Sequence, residues 1–400
     1  MFGRIKNWIF TVARVMRREF YLSLTDVGVM LFFLFLPVVY PVIYTLIYNP
    51  EVAREIPVAV IDDCRSAQSR ELVRMADATE AIHIIGYATD IAEARRWKDS
   101  KACYGIIHIP ADYSRSLGRG EQANVTFYSD MSLLLRYRSM LLSLTNLQLA
   151  AGARIRTETI SSLGSLASGM GGSPVENVSY MLGDTEQGFA SFVIPGIIIL
   201  ILQQSMLLGI TMIGGTGYER RLRNGGIDPL GVMGATPGAS VIGRMLCFVF
   251  IYIPLVIYVL HFIPVMFSLP HVGSPMQYLP FVLPMLVATA FLGITLEVLV
   301  KEREMSFMVV VFTSVVFLFL SGLTWPRYAM NWLWKGVGDL VPATWGVEGF
   351  IRINSNNATI YDNSHCYLMM WALAIFYFFT AVWATRYISR RARCEALSGC

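Results

Sequence analysis

The sequence predicts an α-helical integral membrane protein with six transmembrane helices and an inserted α/β extracytoplasmic domain. Three observations lead there. The 400 residues are 55% hydrophobic and only 15% charged, against about 25% charged in soluble domains. The charge is uneven: residues 49–188 carry 14 Lys/Arg and 17 Asp/Glu, about half of the charge in a third of the length. Outside that block the chain runs in apolar stretches of about 20 residues, the length that crosses a hydrocarbon core.

Residues 1–26, "MFGRIKNWIFTVARVMRREFYLSLTD", do not read as a signal peptide, because Arg14 interrupts the apolar run and no small-residue cleavage site follows. Ile5, Ile9, Val12 and Met16 recur at helical spacing, with Arg4, Arg14, Arg17 and Arg18 on other faces. That pattern predicts an amphipathic helix in the membrane interface; a simple basic flank is the plainer alternative. The first span, residues 27–48, is uncharged. Its Pro37 and Pro41 are tolerable where neighbouring helices satisfy the freed carbonyls.

The 49–188 block changes pattern. Ile56–Asp62, Ala81–Tyr87, Ala102–Pro110 and Asn124–Asp130 are short, β-branched and bounded by turn residues, which predicts strands. Helical segments fall near 66–78, 90–99 and 111–118, the second opened by Asp90 with Glu93 three residues on. Alternating strands and helices predict a small α/β domain. A long helix follows over 131–168, and "GMGGSP", 169–174, reads as a hinge. Cys64 and Cys103 are the two cysteines of this block. A disulfide between them stays open, since sequence does not place their Cα atoms.

The remaining spans are predicted at 189–213 and, within 245–385, at Met245–Leu269, Tyr278–Val300, Ser306–Pro326 and His365–Thr385. An even number returns both termini to one side. Segments 1–26, 214–244, 301–305 and 386–400 hold 15 Lys/Arg, whereas loops 270–277 and 327–364 hold only Arg327, Lys335 and Arg352. The basic side is cytoplasmic, so the termini, the 214–244 segment and the 386–400 tail are expected there, and 49–188 outside. Gln203, Gln204 and Glu297 are polar within spans and are functional candidates. The plainer readings are a helix–helix hydrogen bond for the glutamines and, for Glu297, a side chain reaching the interface near Lys301. Trp325, Trp332, Trp334 and Trp345 crowd one outer segment, as an interfacial belt or a translocation-path contact.

The stretch "GGTGYERRLRNGGIDPLG", 214–231, breaks a long avoidance of charge with Glu219, Arg220, Arg221 and Arg223 among glycines. It is either a solvated loop or a place where a partner meets the membrane part. No G-x-x-x-x-G-K-[ST] loop, G-x-S-x-G elbow or H-E-x-x-H motif occurs, and the five histidines are scattered. No cofactor or metal is therefore expected in this chain. Nucleic-acid binding is not expected either, because the +4 net charge arises outside the soluble block.

The layout resembles the type-2 ABC exporter permeases, in their subgroup with a large extracytoplasmic domain after the first span. The resemblance rests on "IPVAVIDD", "YGIIHIPADYSRSLGRGEQANVTFYSD", "FVIPG" (192–196), "SGLTWP" (321–326) and "LVPATWGVEGFIRI" (340–353), in that order over nearly the whole chain. After the second span the family usually reads E-R-E-x-G-T, then T-P, then G-K. Here Glu219-Arg220 match the first pair and Thr236-Pro237 match T-P. Gly225-Gly226 stand displaced where G-T is expected, and Gly243-Arg244 replace G-K. Glu297 falls where members often have serine.

The resemblance implies that 214–244 is a coupling segment docked on separate ABC ATPase subunits, which carry the ATP and Mg. It implies a second permease copy or a similar chain, a bacterial inner-membrane location and a re-entrant outer segment at 326–364. The expected function is efflux of a hydrophobic or amphiphilic compound or lipid, with a periplasmic adaptor left open. Two rival functions remain at this point: a membrane scaffold or receptor that binds through 49–188, and an ion-coupled transporter that uses Glu297.

Overall fold

The computed structural model describes residues 2–48, 54–119, 121–130, 134–163, 189–232, 234–269 and 271–398. The side chains of 2–5, 134, 156–163, 189–192 and 396–398 are excepted. The predicted hinge at 169–174 and the side chains of Arg4 and Ile5 lie outside this description. The chain forms two compact units, one from 1–49 with 181–400 and one from 50–180.

The chain begins with α1, Phe2–Thr25. The stripe it buries within the protein is Val12, Val15, Glu19 and Leu22, while of the row expected at the membrane interface Ile9 is exposed and Met16 half-buried. The helix packs on a partner inside the protein, and that partner selects the face. Asp26 then caps the next helix, its carboxylate accepting from the N–H groups of Gly28 and Val29 at 3.0 and 3.2 Å. That helix, α2, spans Val27–Tyr48 and contains a wide turn at Leu31–Phe35.

The α/β unit has a four-stranded sheet of β1 (Ile56–Asp62), β2 (Ile82–Tyr87), β3 (Gly105–Ile109) and β4 (Thr126–Ser129). The order is β2-β1-β3-β4, with β1 parallel to β2 and β3, and β4 antiparallel to β3. The helices are α3 (Ala67–Asp77), α4 (Ile91–Asp99), α5 (Tyr113–Gly118) and α6 (Leu134–Leu163). The strand period of two puts Val58 and Val60 in one apolar cluster and Ala59 and Ile61 in the other. Cys64 packs in the first cluster and Cys103 in the second. They sit on opposite faces of the sheet, so the disulfide considered for them is not made and both thiols are free.

The helical unit resumes with α7, Phe189–Arg223. The predicted span ended at 213, before a glycine-rich loop, yet the helix runs on unbroken. Gly214 and Gly215 serve close packing rather than a turn. A Cβ on Gly214 would meet the Glu297 Cδ at 2.5 Å, and one on Gly215 the Glu302 backbone at 3.0 Å. The Arg-rich end that follows suits a helix C-terminus, where cations favour the dipole.

Then come α8 (Pro237–Met266), α9 (Pro275–Leu299), α10 (Met305–Leu320), α11 (Trp332–Asp339), α12 (Pro342–Asn356) and α13 (Ser364–Ser398). The α8 helix starts before the predicted residue 245, and α13 carries through most of the predicted 386–400 tail. Among the described residues five helices are long and apolar enough to cross a membrane: α2, α7, α8, α9 and α13. The α10 helix, at 16 residues, is shorter. The α12 helix is buried along most of its length. At its start the Ala343 N–H donates to the Gln203 Oε1 of α7 at 2.7 Å, satisfying one of the amides a helix N-terminus leaves open.

Candidate functional site

The ends of several helices meet in a cluster of opposite charges. Arg244, in the second turn of α8, and Glu297, near the end of α9, are 7% and 6% exposed. The guanidinium meets the carboxylate as a two-pronged pair, Nη1 donating to Oε2 at 2.9 Å and Nη2 to Oε1. Arginine suits this place because its planar fork matches a carboxylate. Glu19 of α1, 1% exposed, lies with Oε1 3.5 Å from the Arg244 Nε and 2.9 Å from the Arg18 Nη1. The second Nη of Arg18 bonds the Asp228 carboxylate, and the Arg220 Nε stands 3.8 Å from that same group.

Arg221 shares with these residues the lining of a cavity of about 50 Å³, room for a few waters. Three carboxylates thus hold Arg18, Arg220 and Arg244, with Arg221 beside them, and they join α1, α7, α8, α9 and the 224–236 segment. The α1–α8 contact depends on Gly243, where a Cβ would meet the Val12 carbonyl oxygen at 2.8 Å.

A second ring of bonds lies around the first. Asp26 pairs with Arg303 at 2.6 Å, and the Arg303 backbone N–H donates to the Glu219 Oε1 at 2.9 Å. Glu395 of α13 accepts from the Tyr218 hydroxyl at 2.7 Å, from Lys301 at 3.1 Å and from the Arg391 Nε at 3.0 Å. The start of α2, the ends of α7, α9 and α13, and the 301–303 turn are therefore neighbours.

The nine residues expected to couple the chain to a partner have different surroundings. Glu219, Arg220 and Arg244 are held by intramolecular contacts, as above, and Arg221 lines the small cavity beside them. Thr236 caps α8, accepting from the Ala239 N–H at 3.3 Å, with Pro237 at the first helical position. Gly225 and Gly226 have φ of +62° and +83°, a turn that favours glycine. A Cβ on Gly226 would also strike the Arg393 backbone at 2.7 Å. Arg223 is exposed, and so are Leu222, Ile227 and Leu230. Between 222 and 230 the outward face is thus mainly apolar, with Arg223 and Asn224 as its polar side chains.

Of the residues weighed for a path or helix contacts, Gln203 bonds α12, while both amide atoms of Gln204 are buried with no hydrogen-bond partner. Glu297 does not reach toward Lys301 but pairs with Arg244. Trp325 is exposed, whereas Trp345 is buried, its Nε1 donating to the Asp339 carbonyl at 3.0 Å.

Glu19, Asp26, Asp228, Arg303 and Glu395 were not singled out from the sequence, and Arg18 only as part of the basic face of α1. Glu19 had a legible signal, a carboxylate in phase with Val12, Val15 and Leu22. For the other five, partners that build the site are distant in the chain, such as Asp228 for Arg18 and Lys301 for Glu395. Among the described residues no three His, Cys, Asp or Glu side chains are grouped to hold a metal ion.

A family model described as "ABC-2 family transporter protein" matches residues 28–383. No curated protein matches the chain. With that match running from the first apolar helix into the last, the chain belongs to the ABC-2 transporter family, as a membrane-spanning permease.

Proposed function

We propose that this chain is the permease subunit of an ATP-driven exporter in a bacterial inner membrane. It works as a pair of permease copies with separate ATPase subunits, and it moves a hydrophobic or amphiphilic compound outward. Family membership implies the ATPase partner. The observation that carries the coupling reading is the tip formed by Leu222, Arg223, Ile227 and Leu230, exposed outside but tied to the helices behind it through Asp228, Arg18, Glu19 and Arg244. Displacement of that tip reaches the spans through buried ion pairs. The contact with the ATPase is then apolar, and Glu219 and Arg220 act behind it.

Six crossings with both termini cytoplasmic are supported by the ring around Glu395. Chain entering α10 next to Arg303 must reach the far end before α13 returns to Lys301, so α10 makes the fifth crossing. About 24 Å of helix falls short of a ~30 Å core, and the Ser321–Trp325 turn continues it. An ion-coupled carrier built on Glu297 has less support, because both carboxylate oxygens are engaged by Arg244.

The test is co-purification of the tagged chain from native membranes in mild detergent. An ATP-binding-cassette subunit is expected with the wild type and lost with Ile227→Asp/Leu230→Asp. Its absence from the wild-type preparation, under conditions that keep other ABC-2 complexes whole, overturns the proposal.

A further inference from the structure

The two faces of the sheet in the α/β unit are closed to different degrees. On one, Ala59, Ile61, Ala94, Cys103 and Ile106 are all buried. On the other, α6 contributes Met140 and Leu147 to the core, yet a half-open cavity of about 400 Å³ remains between that helix, α3, α5 and the sheet. That volume lies in the range of small-molecule sites, ~300–1,000 Å³.

The walls include Val73, Ile109 and Phe127, and none of the lining side chains is charged. The exposed Gln122 and Gln148 give it a polar edge. Helix α6 turns one stripe toward the space: Leu144, Gln148, Gly152 and Ile155 recur at intervals of three and four residues. Leu142 and Leu149 are exposed and do not line it.

Gly152 matters most. A glycine inside a helix costs about 1 kcal/mol relative to alanine, and no turn requires it here. A Cβ at this position would meet nothing within 4 Å, so close helix packing does not require it either. What its missing side chain does is leave room in the cavity.

We propose that this cavity binds an uncharged, mainly apolar small molecule with one or two hydrogen-bonding groups. An ionised ligand would lose hydration with no opposite charge to meet it. A neutral one buries its apolar body against the walls and keeps its polar group at the glutamine edge. The inference needs no ATPase and stands apart from the transport reading.

The test uses the full chain in lipid nanodiscs with a diazirine-bearing long-chain alcohol as probe, adducts being located by peptide mass spectrometry. Adducts on the transmembrane helices serve as the internal reference. Wild type is expected to give adducts within 107–127 and 141–155. Gly152→Phe, which improves helix propensity while filling the space, should lower them at least fivefold against the reference, and Leu149→Asp should leave them unchanged. Thr145→Trp, at the exposed rim, is a second blocking variant if Gly152→Phe melts below wild type.

Three results overturn the proposal: adducts that persist in both blocking variants, adducts as frequent at Leu142 and Leu149 as in the cavity, or none in the α/β unit of wild type. Equal labelling by the corresponding alkyl-trimethylammonium probe overturns the preference for an uncharged ligand. Cross-links joining two chains through α6 make the space an interface between copies and overturn it as a ligand site.

Discussion

Arg244 and Arg327 of the helical unit each hold two carboxylates, as Arg18 beside Arg244 also does. Arg244 holds Glu297 and Glu19, and Arg327 holds Asp339 and Glu348. Their chemistry is the same and their settings are not. Around Arg244 the three side chains are 9%, 7% and 1% exposed, and the partners come from helices far apart in sequence. Around Arg327 the carboxylates are 34% and 31% exposed, and all three residues lie between 327 and 348. Arg327 also stacks 4.4 Å above the Trp345 ring, and Glu348 is shared with Arg352 at 2.7 Å. The difference teaches that burial, not the number of ion pairs, decides what such a cluster does. A wet local cluster shapes a turn, whereas a dry remote one makes distant helices interdependent, because none can leave without stranding a charge.

The largest effect is expected at Arg244. Arg244→Met leaves Glu297 buried and unpaired, and should cost about 3–5 kcal/mol in denaturant unfolding. Arg244→Met/Glu297→Leu should regain most of that, since no orphan charge remains there. A double variant as unstable as the single one breaks the comparison. At Arg327 the loss in Arg327→Ala should be about 1 kcal/mol and should shrink at high salt. A loss equal to that of Arg244→Met would mean that exposure is not the deciding variable.

The smallest effect belongs to a surface carboxylate. The Thr89 hydroxyl and N–H donate to Glu93 and hold its carboxyl below the usual range. The folded pKa is lower than the unfolded one. The stability it adds is therefore complete above the unfolded pKa and fades as pH falls through the folded value. Hydrogen exchange in the first turn of α4, corrected for intrinsic rates, should accelerate over that acid window in wild type and show no such step in Glu93→Gln.

Much of the fold was legible because it depends on local pattern. The four strands and the capped α4 stand where alternation and the Asp90–Glu93 spacing put them. The apolar runs also fall largely within helices, although Ser306–Pro326 and Met245–Leu269 overrun the ends at Leu320 and Met266. Helix ends were less legible. Gly214-Gly215 read as loop residues, while their actual constraint is Glu297 and the Glu302 backbone, more than 80 residues on. The packing partner of α1 was illegible for a related reason: a membrane-facing arc is a local pattern, whereas the stripe Val12, Val15, Glu19 and Leu22 is selected by α8.

The candidate site was legible only in fragments. Arg244 and Glu297 were each noted as departures from the family's usual text, without any sign that each answers the other. Sequence spacing carries no information about a pair separated by two spans.

The continuity of α7 has a mechanical consequence. Phe33 presses on Gly209, where a Cβ would meet its ring at 2.1 Å, and the Tyr252 hydroxyl bonds both the Phe33 carbonyl and Ser205. That contact is one of several along the helix: Leu323 lies against Gly196, Gln203 bonds α12 and Glu297 lies against Gly214. Arg223 and Ile197 stand ~39 Å apart along it, at 1.5 Å per residue. A rod clamped at so many points has no single pivot, so a push at one end is carried to the other together with the helices packed on it. Spectroscopic labels at Arg223 and Ile197 should move in the same direction on activation; opposite directions would mean that one contact acts as a hinge.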